Sequence, residues 1–163
     1  MRAPHSLVTE ATDAGFLGGT TVAVWFLIRD LLAGHPLRTP SVLGQVLLLG
    51  EPHPDVNSIL FGAIVAYTAV HFIVFILFAM LLAFLVRLAV GNPVCRFAIL
   101  VLFVAYEFCF YVVAHAMSDE LGALFPLWTV LAANLLATLA MGTYFWRRYP
   151  EFGGILRAEP LGA

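Results

Sequence analysis

The chain has 163 residues, 62% hydrophobic and only 11% charged, with a formal net charge of -2 and a mean hydropathy of +0.97. Soluble domains carry about 25% charged residues, so a water-soluble globule of this size is excluded; an acidic balance without a Lys/Arg cluster also argues against nucleic acid as a partner. What remains is an all-α membrane protein, a single membrane domain over residues 1–163. Its apolar runs at 14–33, 57–89, 97–117 and 123–146 reach or approach the roughly 20 residues that cross a hydrocarbon layer.

The first helix is predicted over about 7–33. Glu10 and Asp13 interrupt the stretch after Arg2, and no small-residue cleavage site follows a short apolar core, so the segment reads as a retained span and not a cleaved signal peptide. Ala11, Gly15, Gly19 and Ala23 recur at four-residue spacing, a stripe that lets another backbone come close. In the connection from 34 to 56, Thr39 and Pro40 form a helix start and Gly50 a stop. The expectation is a short amphipathic helix over about 40–49 lying on the outer membrane surface, a hydrophobic anchor rather than a substrate lid.

The second membrane helix, 57–89, is roughly 50 Å long at the helical rise and must tilt or project beyond the bilayer. Gly91-Asn92-Pro93 is a compact turn by residue type, so a third helix over about 95–117 returns antiparallel. Its two cysteines, Cys95 and Cys109, lie roughly 21 Å apart along it and cannot form a disulfide or, alone, a metal site. Ser118 suits an N-cap, with Asp119 and Glu120 in the first turn of a fourth helix over about 122–147. Pro126 falls in that first turn or just inside it, where it would kink the helix. Further along, Ala133 and Ala137 share one strip of the helix, and Asn134, Thr138 and Gly142 the adjacent one.

The predicted architecture is four transmembrane helices in an up-down bundle with a short outer-face amphipathic helix. All eight basic residues are arginine. Arg2, Arg87, Arg96, Arg147, Arg148 and Arg157 gather at one end, against Arg29 and Arg38 at the other, which puts both termini in the cytoplasm by the positive-inside rule. Glu51, Asp55, Asp119 and Glu120, with His35 and His53, mark the opposite face as acidic.

Glu107 stands in the middle of the third apolar run, with Tyr111 and His115 on the same face. A charge at mid-bilayer costs roughly 2.5 to 3.5 kcal/mol even on the lenient insertion scale, so such an acid is a candidate functional residue. Counting outward from the turns places Glu107 level with Asn134, and His71 level with His115, with Tyr67 one turn from His71. Two functional readings follow. His71 and His115 on facing helices could hold a b-type haem, although hairpin helices only 8 to 10 Å apart leave little room for a macrocycle. Glu107, Tyr111 and His115 could form a proton or cation half-channel, although no acid or base continues it toward the cytoplasm. A metal site from His115 with Asp119 or Glu120 falls short of the four ligands of a closed site. The simpler account makes Tyr67, Glu107, Tyr111, Asn134 and Thr138 a buried polar network that holds helices in register, with the histidines satisfied by tyrosines or backbone carbonyls.

No nucleophile motif, phosphate loop or zinc-protease signature is present, and no catalytic residue is assigned. The run Gly18 to Asp30, followed by Gly34, Pro36-Leu37, Thr39-Pro40 and Leu43-Gly44, is similar to the opening of a group of small bacterial inner-membrane proteins. Tyr67-Thr68-Ala69-Val70-His71-Phe72 and Trp146-Arg147-Arg148-Tyr149-Pro150 are similar to segments of the same group. That resemblance covers about a third of the chain and implies four helices, the bacterial inner membrane and no known activity. The expected function is non-enzymatic: an accessory or structural subunit whose partners are the lipid bilayer and other membrane subunits or further copies of itself.

Overall fold

The computed structural model describes residues 6–92, 94–117 and 119–150, all helix, turn or loop. In chain order the helices are α1 (Leu7–Leu32), α2 (Arg38–Leu49), α3 (Phe61–Gly91), α4 (Val94–Met117), α5 (Asp119–Leu124) and α6 (Leu127–Arg148). Pro93 in the second turn, Ser118 as an N-cap, and the terminal Arg2 and Arg157 lie outside the described residues.

Among the described residues three helical stretches, Leu7–Leu32, Phe61–Ala89 and Leu127–Arg148, are long and apolar enough to cross a membrane. Four were expected. The third apolar run does form α4, over nearly the anticipated range, but it is not among the three on the residues described, which leave out the side chains of Phe110, Val113, Ala114, His115 and Met117.

α1 starts where Ser6 caps it, its hydroxyl accepting the Thr9 N–H at 3.2 Å, and it lies between α3 and α6, antiparallel to both. The small residues make this possible. A methyl group on Gly15 would come 2.6 Å from the Ile76 Cα, so the α1 and α3 backbones touch; Gly18 faces Met141 of α6 and Gly19 faces Phe72 of α3. The stripe in use is Ala11, Ala14, Gly15, Gly18, Gly19 and Val22, and the expected Ala23 is exposed. On α6 the buried strip is Ala133, Asn134, Ala137 and Met141, while Gly142 is exposed. α4 packs on α3 through aromatic rings, with Phe78 against Tyr106 at 4.5 Å and against Phe103 at 5.5 Å between centroids.

α2 corrects the sequence reading in two respects. It buries Thr39, Ser41, Val42, Leu43, Gly44, Gln45 and Val46, six of them consecutive and so more than one face of the helix, because Gly44 lets its backbone approach the Ala63 carbonyl of α3. It also starts differently. Thr39 is not its own cap: α2 begins at Arg38 after Leu37 in the left-handed region, φ 65°. That conformation is strained for a leucine. It is held by the Asp30 carboxylate of α1, which accepts the Thr39 N–H at 2.7 Å and hydroxyl at 2.8 Å. The stop is as anticipated, Gly50 at φ 70°, where glycine avoids the Cβ penalty.

The loop after α2 is stapled from within. Gln45 accepts the Asp55 N–H at 2.9 Å and donates to the Asp55 carbonyl at 3.3 Å, and the Ser41 hydroxyl accepts the Leu60 N–H at 3.1 Å. Asp55 in turn accepts the Asn57 N–H at 2.9 Å and the Ser58 N–H at 3.3 Å. These bonds, the Asn57 one first, hold its carboxyl below the usual range. At the far connection Pro126, with ψ 140°, separates α5 from α6 as the N-cap of α6, so it ends one helix and opens the next without kinking either.

Candidate functional site

Polar side chains meet at three levels along the helix seams. At the first, on α4 and α6, the Asn134 amide donates to Glu107 Oε2 at 3.0 Å. Asn134 is buried and Glu107 half-buried. Tyr111 and Thr138, each one turn further along its helix, are half-buried. Counting symmetrically about the third connection places Glu107 and Asn134 at one depth, and the bond joins them there.

The second level is His71, whose Nε2 lies 3.0 Å from the Gly19 carbonyl of α1. Gly19 lacks a side chain and sits against α3, so its carbonyl is open to an imidazole on that helix. The His71 ring also packs on Phe75 at 4.8 Å and Tyr67 at 5.7 Å between centroids. The residue therefore faces α1, the helix that the sequence pairing with His115 left out. The His115 side chain lies outside the described residues, as do those of Asp119, Glu120 and Cys95, so the haem and metal alternatives that use them are not joined to any described geometry. Cys109 is a free, exposed thiol. Among the described residues no group of three or more His, Cys, Asp or Glu side chains could hold a metal ion.

Two apolar cavities, of about 200 Å³ and about 140 Å³, flank this level and share Val22, Phe26, Tyr67 and His71. The larger extends along α1 to Asp30 and Thr39, the smaller toward Tyr106 and Asn134. Pockets lined mainly by hydrocarbon, with the His71 imidazole and the Tyr67 phenol in both and Tyr106 added in the smaller, can admit apolar groups. In the larger cavity both oxygens of Asp30 are taken up by Thr39.

The third level was missed from the sequence. Glu10, almost wholly buried near the start of α1, binds three groups from two other segments. Arg87 Nη2 of α3 lies 2.8 Å from Oε2, Arg148 Nε of α6 lies 3.2 Å from Oε1, and the Tyr149 hydroxyl donates to Oε2 at 2.7 Å. Arg87 Nε also donates to the Tyr149 oxygen at 3.0 Å. Burial, and then the bond to Glu10, push the Tyr149 phenol above its ordinary pKa. Beside this cluster Tyr144 donates to Asp13 at 3.3 Å. The clue in the sequence was a pair of acids in the first turns of the first helix at the end where the arginines gather, which served there only to set topology.

Comparison of the chain with protein-family models, with curated proteins and with solved structures finds no match.

The Glu107 contact makes an expected result. Glu107→Gln keeps an acceptor for Asn134 and should change stability by less than about 1 kcal/mol, whereas Glu107→Leu leaves the amide unpaired and should cost roughly 1 to 2 kcal/mol. Unfolding of the purified protein in mixed detergents measures both. Proton flux into liposomes should be the same for wild type and Glu107→Gln; abolition of a wild-type flux by that change would assign the acid to conduction.

Proposed function

We propose that the chain is a non-enzymatic integral membrane protein, an accessory or structural subunit of a larger complex in the bacterial inner membrane. Both termini lie in the cytoplasm. In this reading α4 crosses the membrane beside α1, α3 and α6, and the resemblance to small four-helix bacterial membrane proteins belongs to the same proposal.

One observation carries it: five interior polar side chains, Glu10, Asp30, Gln45, His71 and Glu107, each engage a partner on another segment of the chain. Glu10 meets Arg87 and Arg148, Asp30 meets Thr39, Gln45 meets the Asp55 peptide, His71 meets Gly19 and Glu107 meets Asn134. Groups used in this way hold helices in register. The apolar side of α4, with Phe97, Leu100, Val104, Phe108 and Val112 between 49% and 67% exposed, is one surface left for lipid or another subunit.

Crosslinking in native membranes followed by solubilisation in mild detergent tests the proposal. The expected outcome is co-purification of a specific membrane partner or of an oligomer. A lone monomer with no crosslinked neighbour would overturn it. An optical spectrum of the same preparation should lack a Soret band; its presence would favour the haem reading of His71 and His115.

A further inference from the structure

Arg29 and Arg38 lie together where α1 ends and α2 begins. Arg29 is in the last turn of α1, its guanidinium carbon 5.5 Å from the centre of the Trp128 ring of α6, and Arg38 is the first residue of α2. Both line a cavity of about 80 Å³, with Asp30 and Thr39 on one side and Leu124 and Phe125 closing it.

The charges here are not matched internally. Among the described residues neither guanidinium is paired with a carboxylate, and the Arg38 Nε is buried without a hydrogen-bond partner. Asp30, the acid that lines the cavity, directs one oxygen to the Thr39 N–H and the other to the Thr39 hydroxyl. A buried donor on a charged group is costly to leave without an acceptor. An oxyanion in the cavity would supply one, and the planar guanidinium fork fits the oxygens of a phosphate better than any other common cationic side chain.

The formal charge lining the cavity selects the ligand. Two arginines and one aspartate sum to a single positive charge, which suits a monoanionic phosphodiester better than a free phosphate dianion. The setting agrees. Trp128 is 61% exposed beside exposed Leu127, an aromatic at a helix end of the kind that sits among lipid headgroups. The cavity has room for one tetrahedral group and not for a nucleotide. We propose that Arg29 and Arg38 bind the phosphodiester of a phospholipid headgroup, with its acyl chains lying along the apolar surface beside the site.

The test uses the full chain, purified in mild detergent and stripped of lipid. Phosphatidylglycerol is titrated in one arm and inorganic phosphate in the other, with thermal unfolding and native mass spectrometry as readouts. Phosphatidylglycerol should raise the unfolding temperature and remain bound as a discrete adduct, and Arg29→Gln with Arg38→Gln should weaken that binding by roughly tenfold or more. Arg38→Lys, which keeps the charge without the fork, should fall between the two and serves if the double variant does not fold. Lipid retention undiminished in the double variant, or equal to the wild type's in Arg38→Lys where the double variant does not fold, would overturn the proposal. So would inorganic phosphate stabilising the wild type as strongly as the lipid does.

Discussion

Gly44→Ala should dislodge α2 from the protein and cost roughly 3 kcal/mol, toward the upper part of the usual overpacking range. The added Cβ would lie 2.3 Å from the Ala63 carbonyl oxygen and 2.7 Å from its carbon. These are backbone atoms in the first turn of α3, so no rotamer change relieves the contact. α2 or α3 must move, and the staples from Ser41 and Gln45 to the following loop move with them. Gly15→Ala meets the same obstacle at the α1–α3 seam, where the nearest atoms are the Ile76 Cα at 2.6 Å and the Phe75 carbonyl oxygen at 2.9 Å. Gly142→Ala is the internal control. Nothing lies within 4 Å of its added methyl group, and alanine is the better helix former by about 1 kcal/mol, so that variant should be neutral or slightly more stable. Denaturant or thermal unfolding in a fixed detergent ranks all three. A Gly44→Ala protein as stable as Gly142→Ala would show that α2 and α3 are not in backbone contact.

The contrast between those glycines marks what the sequence could and could not specify. Their four-residue spacing announced a close approach on the first helix, but only packing shows that Gly15, Gly18 and Gly19 bear it while Ala23 faces outward. The apolar runs and their breakers come within a residue of the ends of α1 and α4, because length and hydropathy are local properties, whereas α3 and α6 begin four and five residues later than expected and the short α5 was not foreseen. Register is not local, and it was legible only across short connections. The third connection is short enough for symmetric counting to bring Glu107 to the level of Asn134.

The 34–56 connection is long, and α2 folds back inside it. Nothing in the spacing therefore says which residue of α1 meets which residue of α3. That is why the bond from His71 to Gly19 and the one from Glu10 to Arg87 could not be read in advance. The cap of α2 failed for the same reason. Thr39 and Pro40 have the right residue types for a start, yet the acceptor that organises that turn is Asp30, nine residues earlier on another helix.

Glu10→Ala should be the most damaging substitution of a polar residue, at about 2 kcal/mol, because a single carboxylate joins α1 to α3, α6 and Tyr149. Removing one partner of a buried ion pair usually costs more than the pair contributed, since the remaining charge is left without compensation. Here the loss is moderated by water. The Arg87 side chain is 38% exposed and that of Arg148 is 18% exposed, against 4% for Glu10, so the abandoned guanidiniums recover part of their solvation. Glu10→Gln separates charge from shape. Its amide oxygen still accepts one bond but its NH2 group faces donors, so it should lose about half as much as alanine does, and added salt should narrow its difference from wild type by screening the exposed Arg87. A double-mutant cycle with Arg87→Gln then measures the direct coupling. With Glu10 already replaced, Arg87→Gln should cost far less than it does in the wild type. If the two losses simply add, Glu10 and Arg87 do not act as a pair, and what Glu10 contributes comes through Arg148 and Tyr149.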